Sequence, residues 1–323
     1  MGRFLAIMTV TAALGAGGTL IGARQAVDKV ARVPAVADVL SAPNPNVENY
    51  LLVGSDSRAG ADPNSPDAGG IGTEADVDGT ARSDTLMLLR RDTATGDLAL
   101  LSIPRDLYVQ VVGRDSPRRI NAAYRDGPAV LVQTVQTALG LPVHHYVEIN
   151  FNGFKSLVDA LGGVRICFLL PARDTHTGLY VAEPGCQVLD GVQALAFARS
   201  RFYEEFQNGD WQRDGSSDIG RMKRQQLFVN EALSATLAAV KSDPMSTGAL
   251  LAAVSSAIMI DDELDPLAAA ATLRNAVGGG LATYSMPVVG TTIDGNSVLL
   301  PDDGADELLA YFRGEAPAPA PRP

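Results

Sequence analysis

Asn49-Tyr50-Leu51-Leu52-Val53-Gly54-Ser55-Asp56-Ser57-Arg58 is the stretch whose reading decides the fold. Tyr50 to Val53 is a short apolar run stopped by a glycine, the pattern of a buried strand. Just past it stand a carboxylate and a guanidinium, where side chains converge at a sheet edge. Downstream, Arg82-Ser83-Asp84-Thr85 leads into an apolar run over 85–90, and a second run covers 98–103. Asp92-Thr93-Ala94-Thr95-Gly96-Asp97 separates them, so the pair predicts a hairpin. If the first strand neighbours this hairpin, Asp56 and Asp84 can reach one Mg²⁺, and Arg82 points the same way as Asp84.

Three further blocks repeat the theme: Ile103-Pro104-Arg105-Asp106, Arg199-Ser200-Arg201 and Arg221-Met222-Lys223-Arg224-Gln225-Gln226. The net charge is −11 and only four residues are lysine (Lys29, Lys155, Lys223, Lys241), so the positive charge is carried by arginine. Arginine's planar fork grips phosphate oxygens in pairs, which a lysine ammonium cannot. Two carboxylates supply the hard oxygens that Mg²⁺ prefers. Any one block reads as a surface ion pair; all five in this order read as a site that stabilises a transferring phosphoryl group. Arg199 and Arg201, two residues apart, are expected to face one oxyanion. Arg221, Arg224 and Gln225 share one face at the start of a helix, where an anion is already favoured.

The remaining chemistry is excluded or weak. No Gly-x-Ser-x-Gly elbow and no phosphate-binding Gly-x-x-x-x-Gly-Lys loop occurs. His144 and His145 precede a strand and face opposite ways, so they make no shared metal site. No Cys/His spacing suits zinc. A pI near 4.7 argues against nucleic acid as a partner. Cys167 and Cys186 are compatible with one disulfide or with two buried thiols. The turn-rich segment between them, 171–183, has little core of its own, and a bridge would pin it ahead of Arg199 and Arg201. A disulfide is therefore expected, together with a location outside the cytoplasm.

Residues 4–23 carry no charge and are long enough to cross a bilayer. Residues 1–23 are read as a signal anchor, a single transmembrane helix, in preference to a cleaved signal peptide. Residues 24–48 are read as a stalk, 49–313 as the catalytic domain, and 314–323 as a disordered Ala/Pro tail. Within the domain, residues 59–80 form a long loop between the two metal carboxylates, suited to closing over a substrate. Strands are expected over 107–112, 146–149, 164–169, 284–289 and 297–300. Helices are expected over 128–139, from a cap at Asn152 to 161, over 192–198, from about 221 to 240, over 250–258 and over 266–277. Strands and helices intermix, so the class is α/β with a mixed sheet.

The blocks, together with Ile120-Asn121-Ala122-Ala123-Tyr124, Asn150-Phe151-Asn152-Gly153-Phe154 and Leu189-Asp190-Gly191, resemble the LytR-CpsA-Psr family, in order from about residue 49 to residue 229. The resemblance implies an α/β/α sandwich with a central mixed β-sheet and a tunnel for a lipid tail. It implies a membrane-anchored extracytoplasmic phosphotransferase that moves a glycopolymer from a polyprenyl-pyrophosphate carrier onto peptidoglycan. Carried over by motif, Asp56 and Asp84 match Mg²⁺-associated aspartates, with Mn²⁺ able to substitute. Arg82, Arg105, Arg199 and Arg201 match pyrophosphate-binding arginines, with Arg82, Arg105 and Asp84 at the chemistry, and Gln225 matches a head-group glutamine. Arg58, Arg119 and Arg221 are accessories. The stretch 202–217, with Trp211, departs from the family pattern. The cysteine pair resembles that of actinobacterial members, which points to arabinogalactan or a related polymer. A hydrolase using water as the acceptor and a non-enzymatic lipid-binding regulator are the two alternatives.

Overall fold

In the computed structural model, residues 28–57, 83–242, 247–269 and 280–320 are described. The expected membrane helix, Arg58, Arg82 and the loop 59–80 lie outside them. Among the described residues no helix is long and apolar enough to cross a membrane.

Seventeen strands are described: β1 (Ala31–Arg32), β2 (Val47–Ser55), β3 (Ser83–Asp92), β4 (Leu98–Ile103), β5 (Tyr108–Val109), β6 (Arg118–Arg119), β7 (His145–Ile149), β8 (Val164–Phe168), β9 (Ala172–Asp174), β10 (Leu179–Val181), β11 (Gly185–Leu189), β12 (Glu204–Gln207), β13 (Asp210–Arg213), β14 (Ile258–Ile260), β15 (Leu281–Ser285), β16 (Val288–Ile293) and β17 (Asn296–Pro301). The α-helices described from end to end are α1 (Pro128–Leu139), α2 (Phe151–Ala160), α3 (Gly191–Arg199), α4 (Ser217–Ser242), α5 (Thr247–Ala257) and α6 (Ala305–Arg313); the helix expected over 266–277 lies largely outside the described residues.

Seven strands make the central sheet in the order β1-β14-β7-β2-β3-β4-β15. It is mixed: β2 runs parallel to β7 and antiparallel to β3, and β3 runs antiparallel to β4. The hairpin expected around the Asp92–Asp97 turn is this β3–β4 pair. Side chains alternate across the sheet. Leu51, Val53, Leu86, Leu88, Leu101 and Tyr146 face one side, where α1 and α6 supply Leu131, Val135, Leu308 and Phe312 to the main core. Tyr50, Leu52, Leu89 and Val147 face the other, with Ile260 and Leu264. A second core joins α2, α3, β8, β9, β10 and Phe228 of α4.

Several local expectations are corrected. The helix after β7 is capped by Asn150, not Asn152: Asn150 is extended, and its side chain accepts from Gly153 N at 2.8 Å. Of 107–112 only Tyr108–Val109 is a strand: it pairs with the two-residue β6, and Leu107 makes an isolated bridge to Leu299. The segment read as a stalk is packed from Val30 onward. Val36 is fully buried, and Arg32 donates to the carbonyls of Asp261 and Leu264. The helix α6, absent from the sequence reading, closes the main core through Leu308, Leu309 and Phe312. Cys167 and Cys186 form the expected disulfide, opposite each other across β8 and β11.

Two glycines set the helix packing. A Cβ on Gly153 would sit 2.1 Å from the carbonyl oxygen of Ala257, and one on Gly191 would sit 2.5 Å from that of Lys155. Any side chain there would separate α2 from α5 or from α3.

Candidate active site

The strand order explains why scattered blocks meet. The carboxyl ends of β2, β4 and β7 point to the same edge as the amino end of β3. That edge therefore gathers Asp56, Asp84, Arg105 and the start of α2, at the place where open α/β sheets bind ligands. The register slips by one residue at this point: Gly54 pairs with Thr85, but Ser55 pairs with Ser83. Asp84 is thus the extra residue of a β-bulge, a device that re-aims a side chain at a strand end. Sequence alternation alone does not reveal it.

Arg105 leaves β4 after Pro104, and its Nη1 donates to Asp84 Oδ1. Its Nε lies 3.8 Å from Asp218 and 3.9 Å from Asp106. Burial opposes the charge on Arg105, and the carboxylates of Asp84, Asp218 and Asp106 outweigh it, so its pKa stands above the ordinary value.

Asp218, which is not among the candidate residues of the sequence analysis, is the hub. It lies in the first turn of α4, and its Oδ1 is 2.8 Å from Arg221 Nη2 and 3.2 Å from Arg201 Nε. Three guanidinium groups therefore crowd one carboxylate. Among the described residues no aligned hydrogen bond reaches either oxygen of Asp218, and the buried Nε donors of Arg105, Arg201 and Arg221 have no acceptor. Arg221, only 4% exposed, has its pKa pushed down to about 10, first by burial and also by the charges of Arg105 and Arg201, with Asp218 opposing. It stays cationic at neutral pH. The only sequence signal for Asp218 is its i, i+3 spacing to Arg221.

The other expected residues are placed as follows. Arg199 is the last residue of α3, so the two-residue strand spacing to Arg201 does not apply. Its guanidinium stacks 4.6 Å above the ring of Phe151, at the start of α2 on the same sheet edge. Gln225 is 8% exposed, and its amide donates to Thr85 Oγ1 (2.9 Å) and to the Ala198 carbonyl (3.1 Å), tying α4 to β3 and α3. Gln226 does the same with Ser102 Oγ and the Tyr284 carbonyl. Arg224 is a clamp: it donates to Asp214 and to the Ser200 carbonyl and stacks on Tyr203. Arg119 reaches Asp106 at 3.5 Å and the Ser297 carbonyl at 2.7 Å. His145 pairs with Asp261 and Glu48, away from this edge, and His144 accepts from Asn49 N. Beneath the site, the buried Glu148 accepts from the hydroxyls of Tyr124 and Tyr146. This polar floor is another feature the sequence reading missed.

Among the described residues no cluster of three or more His, Cys, Asp or Glu is placed to enclose a metal. Two strand-end carboxylates with arginines beside them do fit a Mg²⁺ that takes its other ligands from water and substrate phosphates.

A sequence profile of the LytR_cpsA_psr family matches residues 22–310. The chain belongs to this family. Among its relatives, "Probable cell wall biosynthesis protein LcpB" of Corynebacterium glutamicum is 36% identical over 269 residues, which cover 82% of this chain and 61% of that protein. The "Polyisoprenyl-teichoic acid--peptidoglycan teichoic acid transferase TagU" of Oceanobacillus iheyensis is 32% identical, covering 76% of this chain and 69% of that protein. The solved "LytR-Csp2A-Psr enzyme from Actinomyces oris" superposes with a TM-score of 0.66 at 26% identity, over 88% of this chain and 95% of that one. The α/β fold with a central mixed sheet is thus that of LytR_cpsA_psr structures.

Proposed function

We propose that this LytR_cpsA_psr protein is a phosphotransferase that moves a glycopolymer from a polyprenyl-pyrophosphate carrier onto peptidoglycan outside the cell membrane. The observation that carries it is the cluster of three guanidinium groups on one carboxylate, Arg221 buried and Arg105 and Arg201 half-buried, whose buried Nε–H donors lack acceptors among the described residues, beside Asp56 and Asp84. Buried donors without partners are costly, and a pyrophosphate supplies the missing oxygens. The relatives named for cell-wall synthesis and for teichoic acid transfer support the same reading.

Arg105, Arg201 and Arg221 hold the pyrophosphate, with Arg199, Arg82 and Arg58 as further arginines of the set. The acceptor hydroxyl oxygen attacks the phosphorus that bears the sugar, and the bond from that phosphorus to the bridging oxygen breaks. Polyprenyl phosphate leaves, and the hydroxyl proton passes to Asp84 or Asp106, the carboxylates flanking Arg105. The guanidinium groups neutralise charge that grows on the leaving phosphate. Asp56 and Asp84 would hold Mg²⁺, or Mn²⁺ in its place, which when bound polarises the phosphoryl oxygens. Gln225 orients the head group through α4. Leu52, Leu89 and Val147, half-buried on one sheet face, form the wall along which the lipid tail lies. Residues 1–23 anchor the chain in the membrane, with the domain outside, where the Cys167–Cys186 disulfide persists. Arabinogalactan is the proposed polymer, on the resemblance of the cysteine pair to that of actinobacterial members.

The experiment incubates the chain with lipid-linked donor, Mg²⁺ and peptidoglycan, then asks where the glycan goes. Glycan covalently joined to the wall is expected. Glycan recovered only in free form would make the protein a hydrolase.

A further inference from the structure

The segment 202–217, which departs from the family pattern, builds two strands of a second sheet, with the order β10-β9-β12-β13. Its inner face buries Ala172, Asp174, Leu179 and Val181. Its outer face carries one row in register across all four strands, Tyr180–Arg173–Glu204–Arg213, and beside it the cross-strand pair Phe206–Trp211. Three inter-strand spacings make this row about 14 Å long. Tyr180 is 63% exposed and Phe206 39%. Arg173 lies 4.3 Å above the Trp211 ring and donates to Glu204 at 2.6 Å, so the polar groups are held in place among the rings.

The sheet is fixed to the arginine cluster. Fully buried Asp174 accepts from Ser200 Oγ (2.6 Å), Arg201 N (3.1 Å) and Phe202 N (2.9 Å). The outer face therefore begins beside the arginine that rests on Asp218.

We propose that this face is the docking platform for the acceptor, a peptidoglycan glycan strand bearing carboxylates on its sugars and stem peptides. Exposed rings stack on the apolar faces of sugars, and clamped guanidinium and carboxylate groups hydrogen-bond their hydroxyls. The row carries two arginines against one glutamate in a chain of net charge −11, which complements an anionic strand. It is continuous with the cluster proposed for the donor's pyrophosphate, and on that reading it brings the acceptor hydroxyl to the phosphorus.

The test uses the full chain in detergent, with Trp211, its sole tryptophan, as reporter. Soluble glycan strands released from peptidoglycan are titrated without any lipid-linked donor, and co-sedimentation with insoluble peptidoglycan is measured beside them. A saturable change in Trp211 emission is expected. The double variant Tyr180→Ala, Phe206→Ala is expected to weaken co-sedimentation about tenfold with its melting temperature kept. Should that variant fail to fold, the surface change Arg173→Gln serves, and is expected to weaken binding of these strands and leave neutral oligosaccharides unaffected. An unmoved emission, or co-sedimentation equal in wild type and folded variants, overturns the proposal. So does an emission change caused by lipid-linked donor glycan and absent with peptidoglycan strands. The binding needs no donor. A chain that binds strands yet never cleaves donor therefore overturns the transferase reading and leaves the platform standing.

Discussion

Two ion clusters sit at opposite ends of β2 and β7, and they are built differently. At the lower end Asp261, fully buried, accepts from the amides of Tyr146 (2.9 Å), Glu263 (2.9 Å) and Leu264 (2.8 Å) and meets His145 at 3.3 Å. Glu48 takes the other side of His145 and also accepts from Arg91. Every charge there has aligned partners. At the upper end Asp218 faces three guanidinium groups through contacts that are close but poorly aligned, and among the described residues their Nε donors have no acceptors. A saturated network fixes the fold. The unsaturated one is where the proposed pyrophosphate would be held.

The largest effect is expected at the upper cluster. Arg105→Ala should slow transfer from a lipid-linked donor by ~10²-fold or more, because the guanidinium acts on charge present mainly in the transition state. Single-turnover rates check it; a loss confined to KM would show that Arg105 only binds.

Breaking the lower cluster should instead cost stability. Asp261→Asn leaves buried partners badly matched, at about 3 kcal/mol, read from denaturant unfolding. The rate per folded molecule should stay near that of the wild type. A large rate loss would make the two ends one functional unit.

Ligand should separate the ends further. Inorganic pyrophosphate at about a hundred times its Kd should stabilise the wild type by roughly 2.7 kcal/mol. The thermal shift should vanish in Arg105→Ala and persist in Asp261→Asn. An equal shift in all three proteins would place the anion elsewhere.

The smallest effect is in pH. Burial opposes the charge on His145, but Asp261 and Glu48 outweigh it and raise its pKa to about 9. The folded value exceeds the unfolded one, so this stability is complete below about pH 6.5 and fades as pH rises to 9. The difference between 6.5 and about 9 corresponds to roughly 3 kcal/mol; solvent screening of the partly exposed Glu48–His145 pair cuts the expected loss to about 2 kcal/mol, and melting temperatures of His145→Gln should lack the slope. Glu48, lowered to about 2 chiefly by His145, keeps its charge throughout.

The strand at residue 50, the β3–β4 hairpin, and α1 with its terminal Gly140 were legible because each is a local pattern: an apolar run, a turn cluster, a period of 3.6 with a left-handed glycine after it. Asp56, Asp84, Arg105 and Arg201 were legible as residues, through the motifs around them. Asp218 was not. Its role depends on Arg105, Arg201 and Arg221 arriving from a strand end, a loop and a helix, and no local pattern encodes that convergence. The β12–β13 hairpin was missed because its alternation of charged and aromatic residues makes sense only once β9 and β10 lie beside it.

The sequence by itself determined which residues could bind an anion, the order of the principal strands and helices, and membership of the family, since all of these are written in neighbouring positions. Only the tertiary structure decided which charges share a partner, that Asp84 sits in a bulge against Arg105, and that Gln225 and Arg224 brace α4 against its neighbours. Those outcomes depend on burial and on distances between segments up to 140 positions apart, because desolvation acts on a group through everything packed around it.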